Sequence, residues 1–194
     1  MRSRRPLDGG VMDEPNDVLR AEHEAIELLL AAVEGMAARL HSGAAFPRRD
    51  LEKAMTVVTE FADRCHHAKE EKVLFPILTK ASPAGAEISR RLMSDHKAFR
   101  KLVGSTKELI PKGEADPKAR ASLAKNLDTY TRVLREHILI ENTDLFQEVE
   151  RSLTEAQRAE IAREFERVEE EEIGPGVHEK YHDMIHRLAD AYAV

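Results

Sequence analysis

The sequence predicts an all-α fold: an up-down antiparallel four-helix bundle with one or two additional helices at its C-terminal end. Three observations predict it. Charged residues make up 34% of the chain, Trp is absent and glycines are few, while Leu, Ala, Glu and Arg dominate, which is the chemistry of good helix formers. Apolar residues recur at three- and four-residue spacing almost throughout, with very little strict alternation. Loop signals cut the pattern into four long stretches joined by short connections, and short connections make helices antiparallel neighbours.

The helices follow in order from their start and stop signals. Pro15-Asn16-Asp17 opens a first helix that Gly43 closes. Pro47 to Asp50 opens a second that runs to about Lys80, with Pro76 expected to kink or end it. Ser82-Pro83 starts a third, ending near Pro111 to Gly113, and Asp116-Pro117 starts a fourth that runs to about Arg151. Thr154 and Gln157 have the spacing of a capping box and begin a fifth helix, which stops at Gly174-Pro175-Gly176 before a short sixth. The expected organisation is a loose tail over residues 1–15, a bundle over 16–151 and a helical extension over 152–194 packed on the bundle.

Several function classes are disfavoured. The net charge of -6 gives no general attraction to nucleic acid or anionic membranes, and no basic stripe stands out. No stretch reaches the roughly 20 uninterrupted apolar residues of a membrane span. The basic start, Met1 to Arg5, is followed by Pro6, Asp8 and two glycines where a signal peptide needs an apolar run. A single cysteine, Cys65, forms no internal disulfide and suits a reducing compartment. A soluble, cytoplasmic protein without nucleic-acid or membrane partners is expected.

An internal repeat carries the chemistry. Ala21-Glu22-His23-Glu24-Ala25 resembles Ser94-Asp95-His96-Lys97-Ala98, so the first and third helices match. His66 to Phe75 likewise resembles His137 to Phe146, so the second and fourth match. Each of these two helices holds a His-x-x-x-Glu pair, which places an imidazole and a carboxylate one turn apart on one face. Both His66/Glu70 and His67/Glu71 have that spacing, and the repeat decides between them. Glu141 lies four residues before Leu145-Phe146, as Glu70 lies four before Leu74-Phe75. His67 is therefore expected at the surface. His23, His66, His96 and His137 all lie on apolar stripes, and a lone buried imidazole is usually just a hydrogen-bonded core residue. Four in register with Glu70 and Glu141 point instead to metal. Six nitrogen and oxygen ligands without thiolate exceed the needs of one tetrahedral zinc and suit two metals bridged by the carboxylates.

The pattern His, His-x-x-x-Glu, His, His-x-x-x-Glu over about residues 16 to 150 resembles the hemerythrin-like family, the HHE cation-binding domain. Lys69 to Pro76 and His137 to Asn142 are its most specific pieces. The resemblance implies two non-haem iron ions held by His23, His66, Glu70, His96, His137 and Glu141, with zinc and manganese also compatible with the donors. Oxygen-carrying hemerythrins use five histidines, a departure that favours peroxide or nitric oxide over oxygen transport. The expected function is binding or reduction of a small oxidant, a peroxide or a diatomic, with an electron donor the sequence does not name. The alternatives are an iron- or oxygen-responsive sensor and an iron donor for iron-sulfur cluster repair.

Lesser candidates complete the reading. Tyr130, seven residues before His137, is a candidate hydrogen-bond donor or redox-active group near the metals, with core packing as the equal alternative. Glu71 is either an acceptor beside the ligands or a solvated charge. Cys65 reads as an inert buried thiol. His178, His182 and His186 form a helix stripe read first as surface, and Glu169 to Glu172 read as a solvated helix end. A seventh metal ligand from one of these two groups is the open alternative.

Overall fold

The structure is a computed structural model that describes residues 14–172, 174 and 176–192. Most of the expected tail, residues 1–13, lies outside the described residues. The described residues are all-helical, without strands. Helix α1 is Pro15–His41 and begins with proline at its first position. Gly43, at φ 72°, takes the left-handed turn that follows it. Helix α2 covers residues 48–81 without a break, although its character changes. Arg48–Val57 and Phe75–Ala81 are ordinary α-helix, whereas Val58–His67 and Glu70–Leu74 are π-helical.

Pro76 thus neither ends nor breaks this helix. It lies just after the second π turn, where the hydrogen-bond register is already changing and a missing N–H costs least. Helix α3 is Pro83–Gly113, capped by the Ser82 hydroxyl, which accepts from the Gly85 N–H. Helix α4 covers residues 117–152, capped by Asp116, with a π turn at Glu141–Leu145. Helix α5, Glu155–Glu172, starts at a reciprocal capping box: the Thr154 N–H donates to the Gln157 side chain and the Gln157 N–H to the Thr154 hydroxyl. Helix α6 is Val177–Tyr192.

Helix α1 packs along α4 and α6, α3 packs along α4 and α2, and α5 lies against α1 and both π segments of α2. The buried apolar side chains form two clusters rather than one. The first gathers Leu29, Met36, Phe61, Leu127 and Ile185; the second gathers Leu19, Leu74, Phe75, Phe146 and Phe165. His23 lies in α1 between Leu19 of the second cluster and Ile26 of the first. His66 likewise separates Ala62 of the first from Val73 of the second. A layer of imidazoles and carboxylates therefore divides the core.

Candidate metal centre

Six side chains meet in that layer. His23, His66, Glu70, His96, His137 and Glu141 are each no more than 3% exposed. Their donor atoms form two overlapping groups, His23, His66, Glu70 and Glu141 on one side, and His96, His137 and the same two glutamates on the other. The Nε2 atoms of His23 and His66 face each other at 3.2 Å, and those of His96 and His137 at 3.1 Å. Glu141 spans the two pairs, with Oε2 3.1 Å from His23 and Oε1 2.7 Å from His137. Glu70 also spans them, 3.9 Å from His66 and 3.4 Å from His96.

The far side of each ring fixes its tautomer. His66 Nδ1 lies 2.9 Å from Glu22, His96 Nδ1 2.8 Å from Glu71, His137 Nδ1 3.5 Å from Asp95 and His23 Nδ1 3.1 Å from the Asn142 side-chain oxygen. These partners only accept, so each Nδ1 carries a proton, and whenever a ring is neutral its Nε2 presents the lone pair. The partners obey the repeat as well. Glu22 and Asp95 each precede a histidine, and Glu71 and Asn142 each follow a bridging glutamate. The arrangement is twofold in pattern, with one amide among three carboxylates.

Four lone pairs facing inward, with all four oxygens of Glu70 and Glu141 lacking a hydrogen-bond donor, is an arrangement that repels itself. Each unsatisfied buried group costs about 1–3 kcal/mol, and a cation on each side turns that cost into ligation. Bonds of about 2.1 Å to donors 3.2 Å apart meet at roughly 100°, an ordinary angle at a metal. The residues fit a pair of metal ions.

The charges carry the same strain. Burial and the adjacent Glu141 push the Glu70 carboxyl well above the usual carboxylate range. Burial opposes ionisation of Glu141 too, but His137 and His23 hold it well below. Burial depresses His66 and His96, whereas at His137 it is overcome by Glu141 and Asp95, which raise the imidazole to about 9. Glu22 is desolvated, yet His66 and Lys69 hold it at about 2. Lys69, 1% exposed, is fixed between Glu22 and Glu169.

The family model for the hemerythrin HHE cation binding domain matches residues 14–149. The chain belongs to the hemerythrin HHE family. This hemerythrin-like chain is also similar to uncharacterized proteins of Mycobacterium tuberculosis and Mycobacterium bovis, each 24% identical over 177 residues, covering 91% of this chain and 68% of theirs. No solved structure matches significantly. Among the described residues no helix is long and apolar enough to cross a membrane.

The structure revises several sequence expectations for this hemerythrin-like chain. His67 is not at the surface: it is 3% exposed and stacks on His96 with ring centroids 3.9 Å apart. The expectation came from the repeat choosing His66 over His67 as the ligand, but that choice does not expose the neighbour: His137 and Ile138, the matching adjacent pair in α4, are both buried too. Burial and the neighbouring His96 lower its pKa well below the usual histidine value. The acidic run is not simply solvated. Glu169 pairs with Lys69 and Glu172 with Lys72, tying α5 to α2.

His178 and His182 are half-buried on Phe61, with their Nε2 atoms 2.9 Å apart, while His186 is exposed. None of these three joins the two central ligand groups among the described residues. His178 groups instead with Glu22, Cys65 and Glu169. Cys65 is fully buried, its thiol pushed up to about 12 by desolvation and Glu22. Glu71 accepts from His96, and Tyr130 packs against Phe99, which in turn packs on His137. Glu22, Asp95 and Asn142 went unread as partners of the ligands, although the repeat marks their positions.

Proposed function

We propose that the chain is a non-haem di-iron protein that binds or reduces a small oxidant, with peroxide or nitric oxide ahead of dioxygen transport. In this reading α1 to α4 form an up-down bundle, α5 and α6 cover it, and a reducing cytosol is its setting. The observation that carries it is the nest of four inward lone pairs around two donor-free carboxylates. His23 and His66 would hold one iron and His96 and His137 the other, with Glu70 and Glu141 shared. Zinc and manganese suit the same donors, and the iron assignment rests on the family resemblance.

When bound, the iron pair supplies one or two electrons to an oxidant. The protein's part is to position and to exclude. The Nδ1 partners Glu22, Glu71, Asp95 and Asn142 hold the ring planes and make each Nε2 a better donor. The two apolar clusters keep bulk water from both faces of the layer.

Metal analysis of the purified chain together with peroxide decay tests the reading. Two irons per chain and rapid decay in wild type, both lost in His66→Ala and Glu141→Ala, are expected. Decay unchanged in those variants refutes catalysis at this centre. The divided core favours a second reading, a sensor whose stability follows its metal state. Identical melting temperatures and protease patterns for metal-free and loaded chains contradict it.

A further inference from the structure

We propose that the pocket between α2 and α3 binds a small monocarboxylate with an apolar body, its charge at Lys107 and its far end beside Tyr130. The site is separate from the six central residues and needs no metal. Its volume is about 190 Å³ and its apolar walls are Val58, Phe99 and Val103. An apolar cavity of about 150 Å³ holds benzene, so this one suits a guest of roughly six to eight heavy atoms. Gly104 keeps the rim open, since a Cβ there would meet nothing within 4 Å.

Two polar groups give the pocket a direction. At its mouth Lys107 is exposed, and among the described residues its ammonium meets only the Thr59 hydroxyl, at 2.6 Å. That hydroxyl donates in turn to the Met55 carbonyl and brings no charge to answer the ammonium. The other permanent charges of the lining are paired, Asp63 with Arg100 at 2.8 Å. Lys107 thus leaves the pocket one positive charge on a chain of net charge -6, which selects an anion. Deeper in, Tyr130 is 3% exposed, and among the described residues nothing hydrogen-bonds its hydroxyl. The hydroxyl is not one of the polar atoms sealed from solvent. It offers a hydrogen bond to a polar atom at the far end of a guest.

The repeat shows that this space is not a by-product of the bundle. Asp63 and His67 correspond to Leu134 and Ile138, both buried, and Arg100 and Lys107 correspond to Glu27 and Glu34. The matching place between α1 and α4 therefore has apolar filling and the opposite charge. The backbone differs as well. The π-helical stretch Val58–His67 supplies Val58, Thr59, Asp63 and His67 to the lining, whereas the matching residues 129–138 are ordinary α-helix. The two π turns that do match begin at Glu70 and Glu141, the shared carboxylates. π turns are rare and frequent at functional sites, and this unmatched one runs along the pocket.

Calorimetric titration of the full-length chain with hexanoate tests the site. A dissociation constant on the order of 0.1–1 mM is expected for a guest of about eight non-hydrogen atoms. Hexanol should bind about tenfold more weakly, for want of a charge-assisted hydrogen bond, and hexylammonium should not bind. Lys107→Met should weaken hexanoate about tenfold and leave hexanol unchanged. Lys101→Met, at an exposed position of α3 outside the lining, should change neither. Hydroxyhexanoate with its hydroxyl at the far end should bind several-fold tighter than hexanoate, an advantage lost in Tyr130→Phe. Gly104→Phe should abolish binding by filling the space.

Hexanoate affinity that ignores both Lys107→Met and Gly104→Phe overturns the assignment, as does hexylammonium bound as tightly as hexanoate. A carboxylate captured by the metal centre instead would persist in both variants and disappear with a chelator, which also overturns it. So does the absence of saturable hexanoate binding to a chain whose circular dichroism shows it folded.

Discussion

Replacing Glu22 by glutamine keeps the shape of the side chain and removes its charge, which isolates what that charge does. The carboxylate is 3% exposed and serves two partners, His66 Nδ1 at 2.9 Å and the ammonium of Lys69. Lys69 is 1% exposed and keeps only Glu169 when Glu22 is neutral. Breaking a buried pair outright costs about 3–5 kcal/mol. With one of two carboxylates remaining, about half of that, roughly 2 kcal/mol, is the expected loss of stability. For a chain of this size the melting temperature should then fall by about 4–8 °C.

The same change weakens the grip on His66, and loss of such a partner typically lowers metal affinity about 10- to 100-fold. Glu24→Gln, at an exposed position on the same helix, is the control. Thermal unfolding followed by circular dichroism, with a chelator competition for each variant, measures both effects. Unchanged melting with unchanged affinity in Glu22→Gln refutes the assigned role. Lower melting with unchanged affinity reduces Glu22 to a partner of Lys69.

Gly35→Ala sets two effects against each other. A Cβ there would lie 1.9 Å from the Tyr192 carbonyl oxygen, an overpacking cost of about 1–3 kcal/mol against a helix-propensity gain of about 1 kcal/mol. The neighbour is backbone and does not yield, so we expect a lower melting temperature and faster proteolysis of α6; a rise in melting temperature refutes this. Acid should destabilise the metal-free chain. Asp63 and Glu169 are held at about 2, Asp63 by His67 and Arg100 against burial, and Glu169 by His178 and Lys69. Their stabilisation is full above the ordinary carboxylate value and is lost as pH falls from about 4.5 towards 2. Asp63→Asn with Glu169→Gln should flatten the melting temperature over that window, and an unchanged slope counts against the assignment. Asn142→Asp gives His23 the carboxylate partner the other three imidazoles have, and should tighten metal binding several-fold in a competition titration. Weaker binding would show that the amide is the better partner.

The helix ends were legible because their signals are local: Ser82, Asp116 and the Thr154/Gln157 pair act within one turn of chain. That the six central residues converge in the core was legible for a different reason. A repeat of inward imidazoles and carboxylates has few uses other than metal, and the repeat itself separated Glu70 from Glu71. The burial of His67 was misread: the repeat was used only to choose His66 as the ligand, although it also pairs His67 with Ile138, an apolar residue that is itself buried. The pairing of Glu169 and Glu172 with Lys69 and Lys72 was hidden too, since it joins residues 100 positions apart.

The polar layer has a further mechanical consequence. Apolar side chains that interlock across a core make its parts melt together, but here the two clusters are separated at the level of the histidines. The helices pass through that level as continuous rods, so it is a seam crossed by backbone and lined by imidazoles and carboxylates. Ions bound at both histidine pairs would bolt the seam, and the two clusters should then unfold as one cooperative unit. With the ions withdrawn, amide hydrogen exchange should divide into two classes, one for each cluster.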